Sequence, residues 1–397
     1  MSRYNDLPGV GVSNLVLQET IGAYSHEAYT NARKLSSTAI VSGNDQIDKD
    51  TETFIGQLRW YKPMNPTINV ASLTDASDGT KTTYSSDYLS YIKTVRTHGA
   101  EKVNMAKVVT QEDGLAKIGR DFGETKAQDE HNAVMAVLKG VAISEALNGA
   151  ATGSGATGLG GQTFDNDPTD KKYGFYIDLG ASTLVGAASA SSQGAARAES
   201  FLNAVGMAYK DYEPDFMYLI TSPALMAQLR SANLVDQDKV TDGNVEFSTI
   251  FDGKFRLISS RAATNLSSAD LTKINTGAGV DIVGTKTSYL VLPGALAMEA
   301  LDVPDETEIT RDGNKYKGGG LTSIWYRWGY VLHPAGYNWN GSQEAFPSDT
   351  DYTLVTEDSR TTFEALAGVT TIANARGNWQ RKASSALSLG ILPIFHS

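Results

Sequence analysis

The sequence predicts a mixed α+β protein, and three observations carry that expectation. A helical stretch of unusual length runs over 112–148, a strand-rich stretch over 54–110 precedes it, and the strongest strand signal, 322–332, comes late. Between them short apolar runs alternate with amphipathic ones, the pattern of an α/β layer. The chain has 397 residues, enough for a sizeable core and for one large unit or two to three ordinary ones.

The first 50 residues mix small polar side chains with scattered aliphatics such as Leu15, Leu17 and Ile21. A short helix over 18–35 is expected there, on an arm that needs a partner surface. Residues 56–61 and 67–70 read as strands, with Pro63 and Pro66 forcing extended or turn geometry between them. Asp78-Gly79 marks a turn in the polar stretch 74–87, and strands return over 88–95 and 102–110. So few large apolar side chains cannot build a core of their own. The region has to pack on another domain or another subunit.

The long helix carries Gly119 and Gly123, which weaken its first part. Beyond them Val134, Val137, Leu138, Val141 and Ala142 form one apolar face, and Asn148-Gly149 ends it. A glycine-rich loop follows over 149–161, then an Asp-rich turn over 165–170. Helices are expected over 195–209 and from Pro223, and strands over 216–220, 255–259 and 289–292. In 322–332 alternation puts Tyr326, Trp328 and Tyr330 on one face and Trp325, Arg327 and Val331 on the other. That reads as a strand covered on both faces sooner than as a stacking platform for bases or sugars. The tail, 343–397, is expected to carry a helical piece with Phe363 and Leu366 and to close on Leu389-Gly-Ile-Leu-Pro.

Composition removes whole classes of chemistry. There is no cysteine, hence no disulfide, thiolate metal site or cysteine nucleophile. The five histidines are never closer than 33 positions, so no zinc pair on one helix turn can be drawn. No run approaches the ~20 apolar residues of a membrane span, and no secretory signal is visible at Met1–Leu7. Gly153-Ser-Gly-Ala-Thr-Gly158 spells a dinucleotide-binding motif but lacks the strand before it and the helix after it. Asp165, Asp167 and Asp170 lack the glycine and terminal glutamate of a calcium loop. The pairs Asp305/Glu306 and Glu357/Asp358 read as solvated acidic surface rather than general acid–base groups.

Charge is unevenly distributed. The net −11 contains a segment, 55–110, with seven basic residues against four acidic ones, including Arg59, Lys93, Arg96 and Lys102. Residues 299–312 carry six acids, among them Asp302, Asp305, Glu306 and Glu308, against one Arg311. Two readings stand side by side: ordinary surface charge, or a basic hairpin that lies on an acidic neighbouring subunit.

The order of parts is extended arm, two-stranded excursion, long helix, α/β domain and late strands. It resembles the major capsid proteins of tailed double-stranded-DNA bacteriophages with the Hong Kong 97-type fold. The more specific likeness is to podovirus major capsid proteins of about this length. It rests on Tyr289-Leu-Val-Leu-Pro, Thr322-Ser-Ile-Trp-Tyr-Arg, His333-Pro-Ala-Gly-Tyr337, Ala373-Asn-Ala-Arg-Gly-Asn-Trp379 and the closing Leu389-Gly-Ile-Leu-Pro.

The resemblance implies an N-arm over 1–53, an E-loop with flanking strands over 54–110, and a P-domain spine helix with its following loop over 111–164. It further implies an A-domain over 165–299, returning P-domain strands over 300–332, and an A-domain return with C-terminal extension over 333–397. It implies a structural, non-enzymatic subunit without cofactor or metal. Such a subunit self-assembles into hexamers and pentamers of an icosahedral shell around double-stranded DNA, which it binds without sequence specificity. A separate scaffolding protein, a portal and decoration proteins are the implied partners, with assembly in the host bacterial cytoplasm and no membrane. No motif licenses transfer of the Lys–Asn crosslink found in some relatives. An encapsulin-like compartment shell, a phage tail protein and an α/β enzyme are the alternatives.

Overall fold

A computed structural model describes residues 12–33, 35–61, 86–103, 114–150, 176–178, 214–231, 234–242, 245–261, 286–341, 347, 355–356, 376–382 and 389–396. Several sequence expectations lie outside them: the strand over 67–70, the loop over 151–161, the Asp-rich turn, the helix over 195–209 and the helical piece at Phe363.

The fold is α+β, built on two sheets and a long helix. Helix α1 (Val12–Ala32) lies against α2 (Gly114–Ala150, 37 residues), a helix roughly 55 Å long at 1.5 Å per residue. The N-terminal helix is thus longer than expected, and the surface it requires is in the same chain. Gly119 and Gly123 explain the close approach. A Cβ on Gly123 would stand 2.1 Å from the Ser25 carbonyl oxygen and 2.7 Å from the Tyr29 nitrogen. The glycines that lower helix propensity therefore let the two backbones touch. Further along the helix, Val134, Val137, Leu138, Val141 and Ala142 are fully buried, as their spacing requires.

The first sheet contains β1 (Val41–Ser42), β2 (Ile55–Tyr61), β3 (Ser86–Val103), β10 (Leu296–Ala300), β11 (Thr307–Asp312) and β12 (Leu321–Pro334). Its order is β1-β10-β12-β3-β2, and β11 continues the β10 edge of β12. Strands are expected over 88–95 and 102–110; the structure forms one 18-residue strand over 86–103, continuous through 96–101, and 104–110 lie outside the described residues. Its antiparallel partner β12 pairs without a break from Leu321↔Val103 to Val331↔Lys93. Gly99, a weak point in the strand, lies under the Trp325 ring, which a Cβ there would meet at 2.7 Å.

β12 is covered unevenly. Tyr326, Trp328 and Tyr330 are buried towards α2, where Tyr326 stacks on Phe122 with ring centres 5.4 Å apart. On the other face Val331 is buried while Trp325 is 45% exposed. The expectation of burial on both faces holds only for the C-terminal half. There Leu58, Leu89 and Tyr91 of the hairpin pack with Ile47, Leu301 and Val331 in a second small core.

The second sheet runs β4 (Ile177–Asp178), β17 (Ile391–His396), β9 (Lys286–Val291), β5 (Met217–Thr221), β8 (Phe255–Ser259), β7 (Val245–Ile250), β6 (Val235–Asp242). β5 and β8 are parallel, and β5 is buried throughout, as a strand covered on both faces must be. After it Ser222 Oγ accepts the Leu225 amide at 3.2 Å and caps α3 (Pro223–Ser231), with Pro223 at the first helical position. Short pairs β13 (Tyr337–Trp339) with β16 (Trp379–Arg381), and β14 (Val355–Thr356) with β15 (Arg376–Gly377), complete the fold.

Candidate assembly surface

The structure separates the four bases singled out in the sequence. Lys93 and Arg96 lie on opposite faces of β3, because side chains alternate along a strand. Lys93 is fully buried and forms an ion pair with Asp48 Oδ2 at 3.0 Å, donates to Thr53 Oγ1 at 3.2 Å and also reaches the Asp50 carbonyl. The Lys93 ammonium in turn holds the exposed Asp48 carboxyl below its usual range. Lys93 therefore clamps residues 48–53 to their own sheet and is not a surface base. A desolvated ammonium needs such partners close by, and a neighbouring subunit could not supply them before assembly.

Arg96 is also engaged within the chain. Its Nε lies 3.5 Å from Asp129 Oδ1 on α2, and its Nη1 donates to the Pro347 carbonyl. Asp129 accepts further hydrogen bonds from Trp328 Nε1 at 2.9 Å and Tyr330 Oη at 3.0 Å. One helix carboxylate thus ties β3 and β12 to α2. Lys102 is half-buried opposite Thr322, whereas Arg59 is exposed opposite the exposed Tyr88.

Of the acids, Glu308 pairs with Arg327 Nη2 at 2.6 Å on the adjacent strand. The same guanidinium donates to the Asp305 carbonyl at 2.9 Å, and the Arg327 amide donates to the Glu306 carbonyl at 2.7 Å. The loop is thereby held with Asp305 in the left-handed region at φ 51°. Asp302 lies near Lys49, which pairs with Glu299 at 2.8 Å. All of Asp302, Asp305, Glu306 and Glu308 are exposed. The structure thus gathers the acids and disperses the bases.

A basic feature that sequence reasoning missed lies at the far end of β11. The turn between β11 and β12 exposes Lys315, Tyr316 and Lys317, with Tyr316 62% exposed. Tyr316 and Lys317 both sit at positive φ, 53° and 54°, at a cost of about 1–2 kcal/mol per residue. The signal for it was Asn314-Lys-Tyr-Lys-Gly-Gly-Gly320, a basic–aromatic tip before three glycines.

Two buried polar sites were missed as well. Glu130 accepts the Tyr29 hydroxyl at 2.8 Å and the Ser36 hydroxyl at 3.0 Å, joining α2 to α1 and to the turn after it. Burial raises the Glu130 pKa, and burial together with the Glu130 charge raises that of Tyr29. Glu145 pairs with Arg381 at 2.9 Å. Each is an acid interrupting an otherwise apolar helix face, the one sequence clue available.

A groove of about 950 Å³ between α1, α2 and the end of β8 is lined by Glu27, Asn31, Arg120, Glu124, His131 and Arg261. His131 Nε2 and Ser260 Oγ stand 3.0 Å apart in it. Among the described residues no three His, Asp or Glu side chains converge as metal ligands would.

No family model and no curated protein matches the chain. Solved structures are similar to it at low identity. The capsid of Ralstonia phage GP4 is 12% identical over 77% of this chain and 87% of its own, with a TM-score of 0.47. The cyanophage Pam1 capsid is 11% identical over 79% and 89%, at 0.42. The head of Helicobacter pylori bacteriophage KHP40 is 10% identical over 92% of each chain, at 0.41.

Proposed function

We propose that the chain is a structural major capsid protein of the Hong Kong 97 type. It self-assembles into hexamers and pentamers of an icosahedral phage shell enclosing double-stranded DNA. The observation that carries this reading is the β2–β3 ribbon. Residues 86–92 of β3 pair with β2 beyond the last residue that β12 pairs, and their outer side displays Arg59 opposite Tyr88. Two-stranded ribbons are marginal alone, and a polar–aromatic outer side suits a neighbouring subunit. The order of parts agrees: ribbon, 37-residue helix, second sheet, late strands returning to the first sheet.

In this reading α2 is the spine of the shell wall, the first sheet belongs to the P-domain and the second to the A-domain. The net charge of −11 keeps packaged DNA from adhering to the wall. A separate scaffold, a portal and decoration proteins complete the particle, which is built in the host bacterial cytoplasm. The test is electron microscopy of the purified chain with sedimentation at several concentrations. Shells, hexamers or curved sheets are expected, whereas a small fixed oligomer at every concentration would overturn the reading. Particles filled with a protein cargo would point to a compartment shell, and stacked rings to a tail component.

A further inference from the structure

The basic tip and the acidic loop lie at opposite ends of one short strand. β11 has six residues, so it separates the 315–317 turn from the 302–306 loop by roughly 20 Å. That is farther than a lysine side chain reaches, so the two cannot pair within one subunit. Neither Lys315 nor Lys317 makes an ion pair among the described residues, and neither do the Asp305 and Glu306 carboxylates. Both ends are also held in shape before any partner arrives. The loop is clasped through its backbone by Arg327, and the turn is closed by Gly319 and Gly320 amides on the Tyr316 and Lys315 carbonyls.

We propose that the Lys315-Tyr316-Lys317 tip of one copy docks on the Asp305/Glu306 loop of a second copy, head to tail. The occupant is set by charge complementarity within one sequence, since each copy presents both halves of the contact. A heterologous contact of this kind repeats from subunit to subunit and closes into a ring where the rotation permits. The exposed Tyr316 ring supplies the apolar part of the contact, and the positive φ at Tyr316 and Lys317 aims the tip outward. The proposal rests on the capsid reading only in requiring self-assembly. It keeps the acidic half of the interface expected from sequence and replaces the basic half.

The experiment compares the full chain with K315E/K317E, with D305K/E306K and with the fourfold exchange, reading the concentration needed for assembly by sedimentation. All four exchanged side chains are exposed, and thermal unfolding of each variant verifies that the subunit stays folded. Each double variant is expected to need at least tenfold more protein to assemble, and the exchange or an equimolar mixture of the two double variants to recover most of that loss. Double variants that assemble like the parent overturn the contact while leaving the capsid reading intact. Failure of the exchange to recover assembly also overturns it. A parent chain that forms no particle overturns both. If K315E/K317E assembles normally but releases double-stranded DNA more readily, the tip is a DNA contact and the proposal falls.

Discussion

Glu145 and Arg381 form an ion pair at 2.9 Å with side chains 0% and 5% exposed, joining the long helix to β16. Such a pair stabilises little relative to an apolar substitute, because two charges lose their water, yet breaking it leaves one charge stranded. Arg381→Met is expected to cost about 3–5 kcal/mol and Glu145→Leu/Arg381→Met much less. Urea unfolding of the three proteins measures both. A single variant within 1 kcal/mol of the parent would contradict it.

The helix crossing gives a matched pair of glycine substitutions. Gly123→Ala places a methyl group 2.1 Å from the Ser25 carbonyl oxygen, so α1 must shift, and a loss of about 1–3 kcal/mol is expected. Gly22→Ala meets nothing within 4 Å and is expected to stabilise α1 by about 0.5–1 kcal/mol. Opposite signs in thermal unfolding verify the crossing, and equal signs would refute it.

Tyr29→Phe removes the hydroxyl that reaches Glu130, a hydrogen bond to a carboxylate typically contributing about 1.5–3 kcal/mol. Hydrogen exchange should show α1 opening more readily while the second sheet keeps its protection. The sign with pH follows from the raised Glu130 pKa. A group that holds its proton more tightly when folded contributes stability below its ordinary pKa and loses it as pH rises through the folded value. Docking of α1 is therefore expected to be tighter in mild acid, and Glu130→Gln to abolish that dependence.

His333 works in the other direction. It is 2% exposed, its ring centre 5.8 Å from that of Trp379, and burial pushes its pKa down to about 4. The neutral ring is favoured in the folded state, so stability is complete above the ordinary pKa near 6.5 and is lost as pH falls from there to about 4. Roughly 3 kcal/mol is at stake at 1.36 kcal/mol per pKa unit. His333→Leu should flatten the urea midpoint between pH 7 and 4. An unchanged slope would exclude His333 as its source.

Local signals in the sequence reached far into this fold. The apolar stripe from Val134 to Ala142, the strand at 255–259 and the helix opened by Pro223 stand where their periodicity and punctuation place them. Those features obey rules of spacing within a few residues. Charge could be counted but not aimed. Lys93 and Arg96 look alike in sequence, yet one closes a buried clamp and the other anchors the hairpin to α2. Reversing Lys93 would thus test folding rather than assembly.

The sequence by itself determined the α+β class, the long helix, the buried face of that helix and the absence of thiol chemistry, because each follows from composition or periodicity along the chain. Only the tertiary structure decided that Gly123 is a point of contact, that Glu130 and Glu145 are buried with partners, and that Lys93 is buried while Lys315 and Lys317 are exposed. These depend on residues between 40 and 236 positions apart, and no local pattern records which distant side chain will desolvate a charge.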